Sequence, residues 1–156
     1  MRNRFALTLT AVSSVLVPAV AAPAPASARS KGDRLQNIAV KHINGFRARH
    51  SVNRMRRSRI LKRSASAYAS YMMSTGYFGH LSTIRASRRY RSLGEIILMH
   101  RGGHGRPRVA VKNWALSAGH RQVMLDPGYR LMGVGMASGR FQGHRTTIWV
   151  THVGRR

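Results

Sequence analysis

The chain has 156 residues and sets 28 Lys and Arg against 3 Asp and Glu, a formal net charge of +25. Only Asp33, Glu95 and Asp126 supply carboxylates, so at most one acid pair could serve glycosidase or aspartic-protease chemistry. The absence of cysteine excludes disulfides, thiolate nucleophiles, iron–sulfur clusters and Cys-based zinc fingers, and leaves His and oxygen as the only strong metal donors.

Apolar residues make up 43% of the chain, enough for a core, so the basic excess sits on a foldable sequence rather than on a disordered polycation. At the N-terminus Arg2 and Arg4 precede an apolar run from Phe5 to Val17, and Ala26-Ser27-Ala28 forms a small-x-small site. This is the pattern of a secretory signal peptide over 1–28, with cleavage after Ala28 and Ala22 as the alternative. The run is shorter than the roughly 20 residues that span a bilayer, so no transmembrane segment is expected in the mature chain. A short segment, 29–34, then leads into one domain over 35–156.

Leu35, Ile38, Ala39, Ile43 and Phe46 repeat at three-four spacing, predicting a helix over 33–49 with Asp33 and Gln36 as a capping box. From Ser58, the positions Leu61, Ala65, Tyr68, Ala69 and Met72 predict a second helix closed by a left-handed Gly76. The stretches 81–90 and 101–105 are expected to be loops, with the apolar run Leu93–Met99 between them. Pro107 suits the first turn of a third helix, with Ala110, Val111 and Trp114 on its stripe and Gly119 at its end. A fourth, short helix runs from His120 to Leu125, before Asp126-Pro127-Gly128. Alternation over 130–137 and 146–153, with Ile148, Val150 and His152 on one side, predicts two antiparallel strands joined by a Gly- and Ser-containing connection. Helices first and strands last indicate an α+β domain.

Glu95 is the sole glutamate and stands inside an apolar run, where a carboxylate needs a fixed partner, a raised pKa or a metal to offset its desolvation. A salt bridge to one of the many cations would satisfy it structurally. His80 follows Gly76-Tyr-Phe-Gly79 at a helix exit, and His120 follows Ser117-Ala-Gly119 at a helix entrance, so both can face a cleft. His100 and His104 have the spacing of helical zinc ligands, but Gly102 and Gly103 argue against a helix there. No HExxH, GxSxG or Walker A pattern occurs, and Gly133-Val-Gly135 lacks the third glycine of a dinucleotide fingerprint, its place being taken by Ser138. The basic runs 54–63 and 85–91 could follow an anionic polymer, but Tyr90 is their one stacking platform, so no specific nucleic-acid partner is expected.

Taken in order, Ile43-Asn-Gly-Phe-Arg-Ala-Arg-His50, Ala67-Tyr-Ala-Ser-Tyr-Met72, Tyr77-Phe-Gly-His80, Gly94-Glu-Ile96, Ala110-Val-Lys-Asn-Trp114, Ser117-Ala-Gly-His-Arg121, Met124-Leu-Asp-Pro-Gly-Tyr129 and Gly133-Val-Gly135 resemble a bacterial secreted CAP (SCP-like) domain. The resemblance covers about Leu35 to Val153. It implies an α-β-α sandwich in which a small antiparallel sheet is flanked by about four helices, and a cleft lined by two His and two acids that can hold a divalent metal such as zinc. The matching positions are His80, Glu95 and His120, with His80 and His120 the implied metal ligands. The second acidic position falls on Ser117, which cannot carry charge, and Thr151-His152-Val153-Gly154 replaces the usual strand ending with Phe-Gly.

Three functional readings follow. One is a secreted protein whose cleft, formed by His80, Glu95, Ser117 and His120, binds a metal and a small or lipid-like ligand without turnover. Another is a zinc-dependent hydrolase with Glu95 as general base. A third is a cationic protein that binds anionic cell-envelope polymers or lipids, or kills microbes, through its Arg-rich surface. The residues leave oligomeric state open.

Overall fold

The computed structural model describes residues 26–80, 83–84 and 86–156. The expected signal sequence, apart from its last residues, and the alternative cleavage point at Ala22 lie outside them. Helix α1 (Ala26–Arg49) is followed by β1 (Arg56–Arg57), α2 (Arg59–Thr75), β2 (Ser92–Arg101), α3 (Pro107–Leu116), α4 (Ala118–Leu125), β3 (Leu131–Phe141) and β4 (His144–Arg155). The strands form one sheet in the order β1-β3-β4-β2.

The second helix is the element most completely dictated by its sequence. Ser58 Oγ accepts the N–H of Leu61 at 3.3 Å, and Gly76 closes the other end at φ +70°, its N–H reaching the Met72 carbonyl. Leu61, Ala65, Tyr68, Ala69 and Met72 are all buried, as their spacing requires. Helix α1 begins earlier than expected, at Ala26, because Asp33 does not cap it but pairs with Lys62 at 2.7 Å, while Ala- and Lys-containing sequence carries the helix upstream. The third helix stops at Leu116 rather than at Gly119. Ser117 adopts an extended conformation there, donating its N–H to Asn113 and accepting the Arg121 N–H, so one residue ends α3 and starts α4. Gly119 is consequently inside α4.

The apolar run around Glu95 becomes edge strand β2, which continues through Arg101 because it pairs along its whole length with β4. The β3–β4 hairpin is longer than expected. Its ladder reaches Phe141 and His144, and Gln142-Gly143 turns the chain with both residues at positive φ, the left-handed geometry of a two-residue hairpin turn. Ser138 is thus in the ladder, its hydroxyl 2.9 Å from that of Thr147. The sheet is not wholly antiparallel, since the two-residue β1 pairs parallel with β3, held by Arg56 N–H to the Arg130 carbonyl and Ser58 N–H to the Met132 carbonyl.

Helices cover both faces. Ile97, Ile148 and Val150 pack with α2, whereas Ile96, Trp149, Val153, Met132 and Val134 pack with α1, α3 and α4. On the α2 face, Gly133 and Gly135 admit the helix backbone directly onto β3. A Cβ at Gly133 would fall 2.0 Å from the Lys62 nitrogen, and one at Gly135 would fall 2.3 Å from the Ala65 carbonyl carbon. The Gly-Val-Gly motif is a packing device. On the opposite face Arg47 of α1 is fully buried and donates to the carbonyls of Asn53, Met124, Asp126 and Tyr129 at 2.6–3.2 Å, binding the C-terminus of α4 and the loop after it to α1. Burial lowers its pKa from the usual arginine value, against the raising effect of Asp126. Asn44, one turn before it, grips the backbone of Met55 through both amide atoms.

Candidate functional site

Strand β2 lies at the sheet edge, and its pleat turns Glu95 toward the α2 face while Ile96 faces the other core. Gly94 makes room for Tyr129, whose hydroxyl would be 2.8 Å from a Cβ there. Across the sheet Glu95 is in register with His152 of β4. Their side chains meet: Glu95 Oε2 is 2.9 Å from His152 Nε2, and His152 Nδ1 is 3.0 Å from Ser64 Oγ on α2. The other carboxyl oxygen, Oε1, is 2.9 Å from Nδ1 of His80. The carboxyl group is 5% exposed and His152 fully enclosed, but His80 is 57% exposed, so the cluster runs from the core to the surface.

Two elements set the position of His80. The left-handed Gly76 ends α2, and the Tyr68 hydroxyl, one face up on that helix, donates to the carbonyl of Gly79, directly before His80. Tyr68 has its pKa pushed up to about 12, first by burial and then by the negative charge of Glu95, with smaller effects from Tyr77 and Tyr71. Helix α4 brings His120 to the same edge. The rings of His80 and His120 are 6.1 Å apart between centroids. Burial, reinforced by the neighbouring His80, lowers the pKa of His120 and favours its neutral imidazole.

Of the expected site residues, His80, Glu95 and His120 are therefore brought together. Ser117 stands at the α3–α4 junction, where its backbone carries out the capping and its hydroxyl does not cap α4. His100 and His104 do not form a pair of donors: His100 Nε2 accepts from the Trp149 indole at 3.3 Å, and His104 is exposed in the following loop. His152 also belongs to the cluster, although its sequence pattern marks it only as a strand residue. Its signal was present, since alternation placed it in the buried row with Ile148 and Val150, but only the β2–β4 register sets it opposite Glu95. Among the described residues no group of three or more His, Asp or Glu is arranged around a metal position, and no helix is long and apolar enough to cross a membrane.

An edge-strand acid held by His80 of the segment after α2 and by His152 of the neighbouring strand, with His120 of α4 beside His80, sits on a three-layer α-β-α frame. The sequence matches the CAP (Cysteine-rich secretory protein) family over residues 40–153, and the chain belongs to that family. Its fold is similar to that of an outer surface protein of Borrelia burgdorferi, with a TM-score of 0.66 at 16% identity, covering 79% of this chain and 93% of that one. An SCP-domain extracellular protein from Bacillus anthracis matches with a TM-score of 0.63 at 18% identity, over 87% of this chain and 45% of that one. A cysteine-rich secretory protein of Staphylococcus aureus matches with a TM-score of 0.57 at 11% identity, over 80% of this chain and 40% of its own length. At these identities the structural likeness establishes the fold alone. No curated protein matches the sequence.

Proposed function

We propose that this is an exported CAP-domain binding protein whose cleft takes a divalent metal, zinc by its donor chemistry, through His80 and His120. The observation that carries the reading is the His80–Glu95 contact. With Glu95 ionised, His80 donates from Nδ1, and its Nε2 is left as a lone-pair donor on the side of the ring away from the carboxylate. The 6.1 Å between the two rings accommodates one ion at about 2.0–2.1 Å from each nitrogen. The lowered pKa of His120 supports the same fit, because only a neutral imidazole ligates. When bound, such an ion would supply Lewis acidity and a site for a ligand oxygen.

The geometry favours Glu95 as the group that orients His80 over a general base. Its two carboxyl oxygens are each engaged by an imidazole, and the group is almost fully enclosed. That weighs against the hydrolase reading and in favour of binding. Tyr77 and Phe78, which immediately precede Gly79-His80, expose aromatic surface, and this supports an apolar portion in the cleft ligand. Export rests on the N-terminal pattern and on family membership.

Calorimetric titration of zinc into the metal-stripped domain tests the reading. Saturable binding near one equivalent, abolished in the His80→Ala, His120→Ala double variant, is expected. Binding equal in both proteins, or none in either, removes the metal from the cleft and leaves the cluster as a structural hydrogen-bond network.

A further inference from the structure

Strand β3 has a partner along only part of its outer edge. Strand β1 pairs with it at Leu131 and Met132 and then ends, because Ser58 turns the chain into α2. The Met132 carbonyl accepts the Ser58 N–H on that side, and the alternation of an antiparallel ladder turns the peptide groups of Met136, Ser138 and Arg140 the same way, away from β4. Among the described residues no backbone group meets them. A cavity of about 540 Å³ lies against this stretch. Leu35 of α1 and Met136 line it on one face of the sheet, and Met73 of α2 and Ala137 on the other. All four side chains are half-buried, and the two methionines can reshape to fit an occupant.

The two ends of this slot differ. Upstream, the Asp33–Lys62 bridge joins α1 to α2 beside Gly133 and Val134 and closes it. Downstream, a contiguous cavity of about 340 Å³ shares Gly103 and Ser138 with the first and is lined by Arg140 and Arg145. These two arginines stand directly opposite in the β3–β4 ladder, where like charges repel. None of the three acids of the chain relieves them: Asp33 is paired with Lys62, Glu95 with His80 and His152, and Asp126 accepts the Gly128 N–H. Arg140 is steadied by donating to the Gly143 carbonyl at 3.1 Å. The open stretch from Gly135 to Arg140 is about 20 Å long at about 3.3 Å per residue, room for about five extended residues.

These features restrict what fits. Open N–H and C=O groups at the strand repeat are matched by another polypeptide backbone and not by an acyl chain. Helices on both faces admit one extended segment but bar the edge of a second folded sheet, and a net charge of +25 opposes a second copy. The arginine pair calls for an anion at the downstream end. We infer that the open edge of β3 binds the C-terminal segment of a partner polypeptide by strand addition, parallel to β3, with its terminal carboxylate between Arg140 and Arg145. Successive side chains of the segment turn alternately to Leu35 and Met136 and to Met73 and Ala137. The slot shares no residue with the cleft, so this inference stands apart from the metal reading.

The experiment is an NMR titration of the ¹⁵N-labelled protein, at physiological ionic strength, with the peptide acetyl-Val-Thr-Val-Thr-Leu carrying a free carboxylate. Saturable shifts of the Met136, Ser138 and Arg140 amides are expected. Replacing the peptide carboxylate by an amide, or Arg145 by glutamine (Arg145→Gln), should each weaken binding about tenfold. N-methylation of the peptide should abolish binding at the nitrogens that face β3 and leave it unchanged at the alternate ones, a period-two pattern that does not depend on any protein variant folding. The inference is overturned if N-methylation acts alike at every position, if the amidated peptide binds as well as the acid, or if shifts spread evenly over arginines outside the slot such as Arg88 and Arg89. Laurate has the carboxylate and an apolar chain but no peptide groups, so it should not displace the peptide. Displacement by laurate at equal concentration makes the slot a site for amphiphiles and overturns strand addition.

Discussion

Arg47 and Glu95 are both enclosed ionisable side chains, yet they are satisfied in opposite ways. Arg47 spends its hydrogen-bond donors on four backbone carbonyls from the loop after α1, the end of α4 and the loop beyond it, and the Asp126 carboxylate acts on it only through space. Glu95 is met by two imidazoles, of which one is fully buried and the other more than half exposed. A charge held by backbone carbonyls has partners that cannot titrate, rotate or leave. A charge held by histidines has partners that change with pH and with metal, and one of them opens to solvent. The first arrangement is a fastener between layers; the second is suited to a site.

Substitutions can break or sharpen this contrast. The largest effect is expected from Arg47→Met, which leaves buried carbonyls without donors and should cost about 3–5 kcal/mol in urea unfolding. Glu95→Gln keeps the shape and should cost only about 1–2 kcal/mol, but it should weaken zinc binding by about 10–100-fold through loss of the orienting contact to His80. If Glu95→Gln proves as destabilising as Arg47→Met and leaves zinc affinity unchanged, the distinction collapses and Glu95 is a fastener too.

A smaller effect concerns pH. Because the folded state holds the Tyr68 proton up to about 12 while the unfolded chain releases it near 10, the folded protein binds more protons in that window. Stability should therefore fall as pH rises from about 10 to about 12, and Tyr68→Phe should flatten that part of the curve. Tyrosinate absorbance in the folded protein should reveal one residue titrating late. The smallest stability change, within about 0.5 kcal/mol, is expected for His120→Ala, which removes no hydrogen bond from the Glu95 cluster; the same variant should lose zinc binding by calorimetry.

How much of this was legible in the sequence depended on how local the cause was. The α2 stripe, its Ser58 cap and its Gly76 stop are decided within a few residues, and they appear where spacing puts them. The ends of α1 and α3 were not so decided. Asp33 was drawn away to Lys62, a partner 29 positions on, and Ser117 turned the chain before the glycine could. Glu95 and the two boundary histidines were legible as unusual residues in unusual places. His152 was not, because a histidine in an alternating strand looks like any half-buried polar residue until the neighbouring strand is set in register. Arg47 was likewise one arginine among 24, with nothing in the sequence to mark it as the buried one.

The backbone contact of α2 with Gly133 and Gly135 has a consequence for the cluster beyond packing. Side chains between two layers act as compressible spacers, each with rotamers to exchange, but here the spacing between helix and sheet is set by main chain against main chain. Ser64 and Tyr68 ride on that helix, between the residues in contact and the next turn, so the height at which they meet His152 and Gly79 is gauged by two absent side chains. The glycines act as a ruler for the site, and a single methyl group added to either would be read out at Glu95 as displacement.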